Sequence, residues 1–298
     1  MHSGRPNWLG YSPPGAPEQV RASGSAGSVL RMSQLVGDSS RGAPEQVRAS
    51  RGTDLMRVLY CNCSYSPVVP DRWKREVLPA LVSSALDVVA VPDLCELAMR
   101  RDPLLKELAE ADELTIVACH PRAVHWLFHW GGASLEGKAV TVLNMRCQSS
   151  DEVLTHLLGD DRPTGRPAPA LEPPGVLVPW FPVIDYDRCT HCRQCLEFCL
   201  FGVYERDEGG KVIVAEPERC KTNCPACARL CPEVALIFPK ADECPINGAE
   251  VVDEELERAK VKVNMERILG DDVYAALARR RAGGRTRLLK ADKPGDPT

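Results

Sequence analysis

Charge of one sign in excess is nearly absent from this sequence: across 298 residues the formal net charge is only −4, so no global attraction to nucleic acid can be argued. Long hydrophobic runs are missing too. Residues 1–10 hold no basic segment followed by an apolar run, and no later stretch approaches the roughly 18 apolar residues of a membrane span. The expectation is a cytoplasmic protein without a membrane span. No G-x-G-x-x-G occurs anywhere, which removes the dinucleotide-binding fingerprint. No serine or carboxylate constellation points to hydrolysis.

Cysteine, by contrast, is abundant. Fourteen cysteines in a chain without an export signal do not read as a disulfide framework, because the cytosol keeps thiols reduced. Metal is the natural explanation, and eight of the fourteen lie between Cys189 and Cys231.

Composition divides the chain. Residues 1–53 are rich in Gly, Ser, Pro and Arg and lack periodicity, so a disordered leader is expected. Within it Gly15 to Ser23 recurs word for word as Gly42 to Ser50, and Met56 is a candidate true start. Residues 54–158 alternate β-rich runs (Arg57 to Cys61, Asp87 to Val91, Leu114 to Ala118, Ala139 to Leu143) with helical ones. The expected helices are Asp71 to Ala85 with Asp71 as N-cap, Cys95 to Ala111, and Pro121 to Trp130 with proline at its start. This alternation predicts a small parallel-sheet α/β domain. Residues 159–179, with prolines at 163, 167, 169, 173, 174 and 179, read as an extended linker. Residues 249–298 predict a helix from Ala249 to Leu269, with Val252, Leu256, Ala259, Val263 and Ile268 near one side. A second short helix after Asp271 and a basic tail, Arg279 to Lys290, complete the chain.

The run Cys189-Thr-His-Cys192-Arg-Gln-Cys195-Leu-Glu-Phe-Cys199 has C-x2-C-x2-C-x3-C spacing. Three thiolates on one tight loop can wrap three corners of an iron–sulfur cube, while the fourth, a helical turn later, is directed toward another cluster. Cys220-Lys-Thr-Asn-Cys224-Pro-Ala-Cys227-Ala-Arg-Leu-Cys231 repeats the logic with one extra residue in its first gap. Crossed ligation assigns Cys189, Cys192, Cys195 and Cys231 to one [4Fe-4S] cluster and Cys220, Cys224, Cys227 and Cys199 to the other. Residues 180–248 thus resemble the two-cluster bacterial-type ferredoxins, departing from them at Leu200, where proline often stands, and in the longer gap before Cys224. The fold that this implies is α+β, with a hairpin from Val203 to Val214 between the runs. The rival metal is zinc, whose structural sites also take four cysteines, usually as two separate pairs. Cys244 is surplus and is expected to be a buried small hydrophobe.

Every strand of the α/β domain ends near a cysteine: Cys61 and Cys63, Cys95, Cys119 and Cys147. In a parallel sheet all carboxyl ends share one edge, so these thiols should converge where such folds place ligands. Val58-Leu-Tyr-Cys-Asn-Cys63, Asp93-Leu-Cys95, Ala118-Cys-His-Pro-Arg122 and Asn144-Met-Arg-Cys147 resemble the amino-terminal domain of the heterodisulfide reductase A subunit. That resemblance implies a third [4Fe-4S] cluster on Cys95, Cys119, Cys147 and one of Cys61 or Cys63, with Cys63 preferred. The flavin domain of that family is missing. Free thiols without metal and a strained dithiol at Cys61 and Cys63 are the alternatives. His125 and His129, four apart on a helix, could pair on a metal but read more simply as an ordinary face; Trp126, Phe128 and Trp130 read as packing.

The expected architecture is therefore α/β plus α+β: a parallel-sheet domain joined to a two-cluster ferredoxin module, flanked by a disordered leader and a helical tail. The expected function is relay of single electrons between redox partners, in a heterodisulfide-reductase-like or hydrogenase-linked complex. An electron carrier or non-catalytic oxidoreductase subunit is preferred to an enzyme. A subunit whose amino-side cysteines reduce a disulfide, and a zinc-stabilised interaction module, are the rivals.

Overall fold

Continuous β-branched runs such as Asp-Val-Val-Ala-Val suit strands buried on both faces, the hallmark of a parallel sheet covered by helices. In the computed structural model, which describes residues 29–31, 56–160, 162–163, 167–173, 175 and 177–269, they form such a sheet. Its parallel strands are β2 (Arg57–Cys61), β3 (Asp87–Val91), β4 (Glu113–Ala118) and β5 (Ala139–Asn144), in the order β3-β2-β4-β5. The chain steps from β2 to one side for β3 and then to the other for β4. The topological switch point, where such sheets place ligands, thus lies at the carboxyl ends of β2 and β4. A short edge strand, β1 (Leu30–Arg31), pairs antiparallel with β3. It falls inside the leader expected to be disordered, so part of that segment is structured. The repeat, the helix after Asp271 and the basic tail lie outside the described residues.

Helix α1 (Asp71–Ser83) begins as expected, but Pro70 occupies the cap and Asp71 makes no cap bond. The run expected as one helix from Cys95 to Ala111 is two, α2 (Leu94–Arg100) and α3 (Leu104–Ala109). Pro103 accounts for the break, since it cannot donate to the preceding turn. Helix α4 (Pro121–Trp130) matches its expected bounds, and α5 (Ser150–Leu158), unanticipated, starts on a capping box made by Ser149 and Glu152.

The proline-rich stretch is not a free tether. Leu171 is buried in the first core, its carbonyl accepts from Ser64 Oγ at 3.1 Å, and the Tyr65 hydroxyl accepts the Gly175 N–H at 3.1 Å. After it, β6 (Val183–Ile184) pairs antiparallel with β9 (Leu236–Ile237), and the expected hairpin is present as β7 (Tyr204–Arg206) and β8 (Val212–Val214). Short helices α6 (Gln194–Phe198) and α7 (Ala226–Arg229) follow the two cysteine loops. Phe181, Val183 and Ile237 join the core of the α/β domain, so the two modules share apolar contact. Gly248, at φ +95°, lets the backbone approach α4 so closely that a Cβ would lie 2.5 Å from Cβ of Ala123. Helix α8 (Glu254–Leu269) starts later than expected, and Val252, Leu256 and Val263 of the anticipated apolar side are exposed. The buried contact is made by Val261 instead. Among the described residues no helix is long and apolar enough to cross a membrane.

Candidate functional site

The first cysteine loop is tied down before its first thiol. Asp185 accepts N–H bonds from Asp187 and Arg188 on Oδ1, at 3.1 and 3.3 Å, and its carbonyl accepts the Cys189 N–H at 2.9 Å. His191 and Arg193 then take positive φ, 54° and 69°, which curls the chain tightly enough to turn successive thiols inward. Cys199 caps α6, its N–H donating to the Cys195 carbonyl at 3.0 Å. In the second loop the extra residue is absorbed at Asn223, φ 61°.

Cys189, Cys192, Cys195 and Cys231 line one small pocket, walled by Val212, Ala235 and Leu236. Cys231 comes from the second run, yet it faces the first loop, and its Sγ accepts the Ala235 N–H at 3.3 Å. The remaining four group together: Cys220 sits beside Cys227, Cys199 and Cys224. The Tyr204 hydroxyl lies 3.1 Å from Cys227 Sγ. Burial raises the thiols of Cys189, Cys195, Cys220 and Cys231 and pushes Cys227 up to about 12. A bare thiolate is disfavoured here, whereas iron binding displaces the thiol proton and spreads the charge. Soft sulfur donors beside the apolar Val212 and Leu236 side chains, with an amide on Cys231 Sγ and the Tyr204 hydroxyl at Cys227 Sγ, fit a [4Fe-4S] group. Among the described residues no three metal-ligating side chains close around one point as a single-ion site requires; the thiols are spread around cavity walls.

On the amino side, Cys63, Cys95 and Cys119 are brought together at the sheet's carboxyl edge. Burial raises all three, Cys119 to about 12. Cys61, also buried, uses its Sγ to accept the Leu94 N–H at 3.2 Å, at the start of α2. Cys147 follows β5 and is exposed. Asp93 caps α2 by accepting the Glu96 N–H at 3.1 Å and receives the Lys240 ammonium at 2.6 Å. Arg146 donates from Nη1 to the carbonyls of Pro239 and Ala241, at 3.0 and 2.9 Å. Lys240 escapes sequence reasoning: nothing in Pro239-Lys240-Ala241 marks a lysine that reaches another module.

One secondary expectation changes. Cys244, expected to be buried, is exposed on a solvent-facing turn, where Asn247 Nδ2 donates to its Sγ at 3.2 Å. His129 packs among the Trp126 and Tyr186 rings, at 5.1 and 5.5 Å between centroids.

The family of 4Fe-4S binding domains matches residues 181–204. An uncharacterized ferredoxin of Methanocaldococcus jannaschii is 49% identical over 63 residues, 21% of this chain and 42% of its own length. Pyruvate synthase subunit PorD of the same organism is 30% identical over 74 residues, 25% of this chain and 69% of that subunit. Ferredoxin-3 of Nostoc is 34% identical over 67 residues, 17% of this chain and 68% of that ferredoxin. The chain thus spans less than half of the first of these relatives and about two thirds of the other two. No solved structure matches it.

Proposed function

Because the chain belongs to the 4Fe-4S ferredoxins, an iron–sulfur family of electron-transfer proteins, we propose that it relays single electrons through two clusters in residues 180–248. Cys189, Cys192, Cys195 and Cys231 hold one, and Cys220, Cys224, Cys227 and Cys199 hold the other. The observation carrying this reading is the cavity that seats Cys231 with the three thiols of the first loop. Each cluster, when bound, takes up and releases one electron. The protein's own part is to orient and tune. The Ala235 amide and the Tyr204 hydroxyl stabilise charge on sulfur, and Val212 and Leu236 keep water away.

The reading extends to a third [4Fe-4S] cluster in residues 54–158, a domain akin to the amino-terminal domain of heterodisulfide reductase A. Its ligands are Cys63, Cys95, Cys119 and Cys147. Cys63 is preferred to Cys61 because it lies beyond the end of β2 and sits beside Cys95 and Cys119. Redox proteins of the cytoplasm, in a heterodisulfide-reductase-like or hydrogenase-linked complex, are the partners. Similarity to a subunit of pyruvate synthase supports a subunit role.

A second reading, an amino-side site that reduces a disulfide, draws on the exposure of Cys147, where Cys63 and Cys95 are buried and Cys119 is partly so. Anaerobic purification with iron and sulfide analysis separates the readings. Three clusters require about twelve irons per chain and two require about eight. Zinc without sulfide refutes electron transfer and leaves a zinc-stabilised interaction module. An iron at the amino side that binds exogenous thiol favours disulfide reduction.

A further inference from the structure

A lysine ammonium is costly to bury, yet the Lys240 side chain is 3% exposed. Its partner is the fully buried Asp93, in the other module and two residues before Cys95. The contact is gripped at both ends. Arg146, immediately before Cys147, bonds the carbonyls on either side of Lys240, so residues adjoining two candidate ligands hold this one lysine by its head and by its backbone. Burial pushes the ammonium down, but opposing charge, the Asp93 carboxylate at 2.6 Å foremost, raises it overall. Lys74, donating to the Cys63 carbonyl at 3.3 Å, adds a third cation at this edge.

A buried ion pair adds little stability relative to apolar side chains of the same volume, so stability is a poor account of the arrangement. Charge is a better one. The potential of a thiolate-bound cluster depends on its net charge, the bonds to its sulfurs and its exposure, and a fixed cation favours the more negative, reduced form.

We propose that Lys240, carried in by the carboxyl-side module, is a positioning residue of the amino-side cysteine site, where its ammonium offsets thiolate charge and raises the reduction potential of the bound group. This rests on the third-cluster reading above. Asp93 opposes it, which gives the test its sign.

Midpoints are measured by potentiometric titration with electron paramagnetic resonance on the full chain, the amino-side signal being the one that Cys95→Ala removes. Lys240→Met should lower that midpoint by a tenfold change in the redox equilibrium, 59 mV for one electron. Asp93→Asn, whose amide keeps the helix cap, should raise it, and Lys240→Arg should hold it near the parent value. The ferredoxin midpoints should stay in place. A merely structural ion pair would give both variants the same loss of stability and no opposed shifts. Unchanged midpoints in a chain carrying about twelve irons overturn the role of Lys240 and leave the third cluster standing; about eight irons in the parent overturn both. Should Lys240→Met fail to fold, an unchanged or lowered midpoint in Asp93→Asn overturns the proposal.

Discussion

Replacing Arg122 by methionine tests how firmly the two modules are joined. Arg122 leaves the first turn of α4 with 12% of its side chain exposed and donates from Nε to Oδ2 of Asp185, 5% exposed, at 2.6 Å. Its Nη2 donates to the Val234 carbonyl, on the loop that follows Cys231. Methionine fills much of the volume but leaves the Asp185 carboxylate with backbone donors alone. Removing one partner of a buried pair costs about 3–5 kcal/mol. The amides of Asp187 and Arg188 still serve Oδ1, which places the loss near about 3 kcal/mol. For a body of 150–250 residues each kcal/mol moves Tm by about 2–4 °C, so Arg122→Met should melt about 6–12 °C lower. Anaerobic thermal denaturation of the holoprotein reads this directly. In a cycle with Asp185→Asn, the coupling should reach about 2 kcal/mol. A single variant within about 2 °C of the parent, or strictly additive effects, would refute the claim that this pair clasps the modules.

Cys231→Ala should abolish the cluster signal of the first cysteine loop while sparing the second, and Cys199→Ala should do the converse; loss confined to each residue's own run contradicts crossed ligation. Tyr204→Phe deletes the hydroxyl 3.1 Å from Cys227 Sγ, and the midpoint of the second-loop cluster should fall by up to about 60 mV, roughly the value of one hydrogen bond to a charged acceptor. Burial, aided by His125, lowers His129 from its ordinary 6.5 to about 4, so the unfolded chain binds the proton first. Stability should therefore drop as pH falls through that window, by up to about 3 kcal/mol, and His129→Phe should flatten the dependence in denaturant titrations.

Legibility in the sequence followed how local each determinant is. The strands were readable because their β-branched runs are continuous, and α4 because proline marks its first residue. The break between α2 and α3 was legible in Pro103, and α5 in its Ser149 to Glu152 box, yet a helical period read across short segments merges or overlooks them. The exposed side of α8 shows the opposite failure: an apolar spacing on a largely charged helix carries no guarantee of a partner surface. The two cysteine runs were readable because ligand spacing is itself local. Lys240 and Arg146 were not, since their roles arise only when residues 239–248 settle against the sheet edge.

That settling has a thermodynamic consequence. The carboxyl-side module supplies a buried ammonium to Asp93, two residues before Cys95, and its carbonyls of Pro239 and Ala241 accept from Arg146, next to Cys147. If a bound group on Cys63, Cys95, Cys119 and Cys147 gains from that ammonium, then by linkage its presence must strengthen the docking of the module by the same free energy. The coupling need not be signalled through the fold, because one side chain belongs to both sites at once. Undocking of residues 239–248 would take the Lys240 ammonium away from Asp93 and the carbonyls of Pro239 and Ala241 away from Arg146. A chain arranged this way has reason to carry its amino-side group and its ferredoxin module as one unit, each completing the surroundings of the other.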